Sequence, residues 1–82
     1  MSTPAVVWSD RAEAARRQQQ AELRFADAIV HSPIPAGDQA ADRLRQARFA
    51  LQLEHAAAWG EYAEHCEQVA ADERRHELAV PA

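Results

Sequence analysis

The sequence predicts an all-α protein: a two-helix antiparallel hairpin with a longer second helix, completed by self-association into a helical bundle. Three observations predict it. Twenty of the 82 residues are Ala, and Glu, Gln and Arg, also strong helix formers, are abundant beside it. Inside the chain only Ser32-Pro33-Ile34-Pro35-Ala36-Gly37 breaks the helical pattern. Large apolar residues number only 18, too few for a single copy of so short a chain to bury a comfortable core.

The first helix has two candidate starts. Thr3 can cap with Pro4 in the first turn, and Asp10 with Glu13 three residues on has the arrangement of a capping box. Ala12, Ala15, Leu23, Ala26, Ile29 and Val30 then recur at helical spacing, with Phe25 at one edge and Arg16-Arg17-Gln18-Gln19-Gln20 as a solvated face. The helix runs from about residue 4 or 10 to 31, because Pro33 forces the residue before it out of the helical region. The loop occupies 32–37.

Asp38 is the expected N-cap of the second helix, which spans about 38–78 with no Pro and a single Gly. Its principal stripe is Leu44, Ala47, Leu51, Ala58, Trp59, Tyr62, Cys66 and Val69. Phe49, Leu53, Ala56 and Ala57 make its middle apolar nearly all round, so more than one neighbour is expected to cover it. Residues 1–82 read as one helical-hairpin domain.

A hairpin closed at 32–37 sets residue i of the first helix near residue 69 − i of the second. The second helix then overhangs by about 13 residues, some 20 Å. That overhang carries Cys66, Val69, Ala70, Ala71 and Leu78, which one hairpin cannot bury: either it frays or, the favoured reading, a second chain covers it. Charge suggests its orientation. Arg43, Arg45 and Arg48 exceed Asp42 and Glu54 by one over residues 42–60, whereas residues 61–82 hold two Arg against six acids. Antiparallel second helices crossing at Ala56-Ala57-Ala58 would bring Arg48 to Glu64 and Arg45 to Glu67. The expected interface is Leu51, Ala56, Ala58, Trp59, Tyr62, Cys66 and Val69, with a dimer favoured and another protein as the alternative partner.

Function classes narrow accordingly. No apolar run approaches the ~20 residues of a membrane span, and the N-terminus lacks a secretory pattern. One cysteine, Cys66, excludes an internal disulfide, and with no signals for export a cytoplasmic location is expected. A net charge of −4 and the interleaving of acids with Arg11, Arg16, Arg17 and Arg24 speak against nucleic acid. Cys66 has acidic neighbours and no local cluster of bases to make it a nucleophile. His55 reads as an interface histidine bonded to an acid such as Glu13.

The reading is a non-enzymatic interaction module without cofactor: an adaptor, regulator or structural subunit. The alternative is a carboxylate/histidine bundle binding a divalent metal ion. Glu61 and His65, Asp72 and His76, and Glu73 and His76 each share a helical face. Glu73-x-x-His76 matches the short motif of ferritin-like di-iron storage or oxidase bundles. The pairing rule, however, places Glu22 beside residue 47 and Glu13 beside residue 56, so neither joins it.

Overall fold

The computed structural model describes residues 3–79, which form α1 (Pro4–Val30) and α2 (Gln39–Ala79), packed antiparallel with no strand among them. The hairpin and its longer second arm are as the composition and the single break predicted. The start of α1 is the earlier one. Thr3 adopts extended backbone and its hydroxyl accepts from the Val6 N–H at 3.3 Å, with Pro4 as the first helical residue.

α1 ends where Pro33 requires it, and His31 closes the last turn with its N–H bonded to the Asp27 carbonyl. The chain does not turn back there. Residues 32–35 run on outside any helix alongside the first turns of α2, and Arg45 Nη1 donates to the Ser32 carbonyl at 3.0 Å. The reversal comes at Pro35–Asp38, closed by the Asp38 N–H on the Pro35 carbonyl at 3.1 Å, with Gly37 at φ +79. A positive φ at the third turn position is what glycine supplies without strain. Asp38 then caps α2 through the Ala41 N–H, at 2.9 Å.

This excursion resets the register. Ser9 meets Arg74, Arg16 meets Glu67, and Glu22 meets Gln52, where the tight-turn rule gives about 60, 53 and 47. The expected overhang at the C-terminal end of α2 is therefore absent. The extra length lies at the other end, beside the loop, and α1 reaches almost to the end of α2.

Both helices meet along seams built on three- and four-residue steps and their sums, close to the heptad pattern of a coiled coil. α1 contributes Ala5, Ala12, Ala15, Ala26 and Ile29, all buried; α2 contributes Gln52, Ala56, Gly60, Ala63, Cys66 and Ala70, also buried. Ala63 and Cys66 have no exposed surface at all. Such small residues let the two backbones approach closely, so the seam excludes water with very little side-chain volume. A polar layer interrupts it. Gln52 donates through Nε2 to the Glu22 carboxylate and to the Glu22 carbonyl, and Arg16 Nη1 donates to Gln19 Oε1 at 3.1 Å. Gly60 opposes this layer, and its missing side chain leaves the space that the Gln19 amide fills.

Candidate interaction face

Of the principal stripe of α2 only Cys66 is fully buried against α1, with Val69 half-buried. Leu44 is 61% exposed and Leu51 53%, and Ala47 and Ala58 are exposed as well. Small residues occupy the α1 contact because they permit the closer approach, and the larger apolar side chains of α2 are displaced around the helix. The displaced residues have an order of their own. Leu44, Arg48, Leu51, His55, Ala58, Tyr62, His65 and Val69 alternate four- and three-residue steps, a second heptad seam. At about 100° per residue it lies roughly 100° around α2 from the seam that holds α1.

Aromatic contacts build the middle of this face. The rings of Trp59 and Tyr62 stand edge to face at 6.1 Å, with Trp59 37% and Tyr62 42% exposed. Trp8 of α1 leans across from the same side, its ring 6.1 Å from that of His65 and nearly perpendicular to it. The Arg11 guanidinium lies 4.7 Å from the Trp8 centroid. Hydrogen bonding to the Cys66 side chain one turn on raises the Tyr62 pKa above its ordinary value, and Arg11 opposes this.

The expected interface residues fall into two sets. Leu51, Ala58, Trp59 and Tyr62 are open, and Val69 is half-buried. Ala56 and Cys66 are buried against α1. An α2 crossing at Ala56 is therefore excluded in this hairpin, since α1 already covers that position. Of the ion pairs expected at the crossing, one is committed elsewhere, since Arg45 bonds Asp42 at 3.0 Å and Arg16 holds Glu67 at 2.6 Å. His55 is exposed, and Glu13 pairs with Arg17 rather than with it.

The carboxylates and histidines considered for metal are spread out. Asp72 is held by Arg75, His65 packs against Trp8, and Glu73 is half-buried while Glu61 and His76 are exposed. Among the described residues no three His, Cys, Asp or Glu side chains converge on a point where an ion would sit. Nor is either described helix long and apolar enough to cross a membrane.

The heptad order of the open face was present in the sequence, since Leu44, Leu51 and Ala58 stand seven apart. Compared with protein-family models, with curated proteins and with solved structures, the chain gives no match.

Proposed function

We propose that this chain is a non-enzymatic protein–protein interaction module, an adaptor or assembling subunit, whose working surface is the second seam of α2. The observation that carries this reading is the seam itself, where Leu44, Leu51 and Tyr62 are each more than 40% exposed in heptad order. A helix buried on one side by its hairpin partner and apolar again a quarter-turn away has the pattern of a helix inside a bundle. Large aromatics such as Trp59 and Tyr62 are the residue types that dominate interface energetics. The polar side chains of the hairpin support the same view, because Arg16, Gln19, Glu22, Gln52 and Glu67 are engaged with one another.

Site-specific photo-cross-linking tests it. A photoreactive residue at position 51 should give adducts of defined mass, identified by mass spectrometry, while one at Glu61 on the outer polar face should not. Equal yields of adducts, or none, from both positions would remove the second seam as the working surface.

A further inference from the structure

We infer that the occupant of the second seam is a second copy of this chain. The two α2 helices cross antiparallel about a two-fold axis level with residues 56 and 57, giving a four-helix assembly. The inference rests on the interaction reading above and names its partner.

Register is the first argument. The seam runs from Leu44 to Val69, and inverting it about its own middle matches apolar residues with apolar ones in two of its four layers and sets Arg48 opposite the partner's His65. Leu44 meets the partner's Val69, and Leu51 meets the partner's Tyr62. At the axis His55 meets the partner's Ala58, small enough there for the backbones to close. The axis lies on the outer face, so this crossing does not compete with α1 for Ala56 or Cys66.

Charge gives the orientation. Residues 42–60 carry one excess positive charge, and residues 61–79 carry two Arg against six acids. A parallel pair would set the acidic halves beside each other. An antiparallel pair sets each acidic half beside a basic one, and like charges in juxtaposition are what select against the wrong arrangement.

Area is compatible with two copies. One hairpin exposes 6143 Å², whereas a typical folded monomer of its 9.1 kDa exposes about 4,900 Å². At twice the mass the typical value is about 8,100 Å², so docking two hairpins down to it buries roughly 4,000 Å² in total. That lies within the ~2,000–5,000 Å² of obligate homodimers.

Sedimentation of the full chain tests the inference, with the expected mass twice 9.1 kDa at micromolar concentration. Leu51→Glu, at a position open in the hairpin, should keep its helicity and sediment as a single chain, its dissociation constant raised by at least ~100-fold. Leu44→Glu repeats the test at the seam's end should the first variant lose helicity. With Cys66→Ala removing the native thiol, Leu44→Cys/Val69→Cys should oxidise to covalent dimers and Leu44→Cys alone should not. A mass of 9.1 kDa at every concentration, a dimer indifferent to both glutamates, or cross-linking by Leu44→Cys alone would overturn the inference. If the chain sediments singly while position 51 still cross-links to another protein, the second copy is wrong and the interaction reading stands. If neither occurs, both fall.

Discussion

Gly60 and the polar layer around it show how single residues set this fold. A helix interior ordinarily disfavours glycine by about 1 kcal/mol relative to alanine, yet here the vacant side of Gly60 receives the Gln19 amide. That amide is the far end of a flexible side chain, which can swing aside. Gly60→Ala should therefore raise the thermal midpoint, gaining up to ~1 kcal/mol of helix propensity. A lowered midpoint would mean that Arg16 holds Gln19 rigidly. Gln52 is a different case, because its partner is a carboxylate in a half-buried position. Gln52→Leu alone should cost about 1–3 kcal/mol by taking from the Glu22 carboxylate its donor across the seam and leaving it only the Gln18 amide. Glu22→Leu with Gln52→Leu should recover most of that loss, since removing both polar partners is often near neutral. Urea melts of the two single variants and the double variant close this cycle.

At the scale of the helix, the two seams of α2 respond differently to the same kind of change. Ala63 has no exposed surface, and Ala63→Leu should destabilise by ~1–3 kcal/mol because the helices must separate to admit it. Leu51 is 53% exposed, so Leu51→Ala, measured dilute enough to keep chains apart, should stay within ~0.5 kcal/mol. A loss of several kcal/mol from Leu51→Ala would place it back in the hairpin core. Helix existence, the break at Pro33 and the burial of Ala12, Ala15, Ala26 and Ile29 could be read from the sequence, because propensity, proline sterics and helical period are local properties, whereas Leu23 and Val30 of the same expected stripe are exposed. The contact face of α2 could not be read by weighing side-chain size, which favours Leu44 and Leu51. What identifies it is the seven-residue spacing of Ala56, Ala63 and Ala70 opposite Ala5, Ala12 and Ala26. The register escaped for a related reason: Pro33 and Pro35 carry the chain past the end of α1 before Gly37 lets it reverse, and a rule that assumes a tight turn cannot include that excursion.

The whole molecule is a rod. Its radius of gyration is 19.1 Å, against about 12 Å for a compact domain of this length. In a rod each turn of α2 supports the turn of α1 beside it, so deletions act locally. Ending the chain after Val69 removes Ala70, which is buried, and Arg74, which donates to Ser9 at 3.1 Å. The start of α1 loses its cover. The truncated chain should therefore lose more helicity than the deleted residues account for and melt lower. The second seam, Leu44 to Val69, is untouched, so its sedimenting mass should remain twice that of one truncated chain. Circular dichroism and sedimentation on the same sample check both outcomes, and a drop to single chains would show that the acidic end also holds the assembly.

The long excursion of residues 32–38 has a consequence for how the rod opens. At that end Arg45 ties the Ser32 carbonyl to α2 and the covalent loop prevents separation, whereas at the other end Thr3 and Ala79 are joined by no chain. Fluctuations should then unzip the pair from the free end, as a one-dimensional structure with a single closed terminus does. Among the helical amides, those of residues 5–9 and 70–76 should exchange with deuterium soonest. Protection should rise steadily through Ala63 and Ala56, so that the exchange profile along each helix records distance from the loop rather than the propensity of its residues.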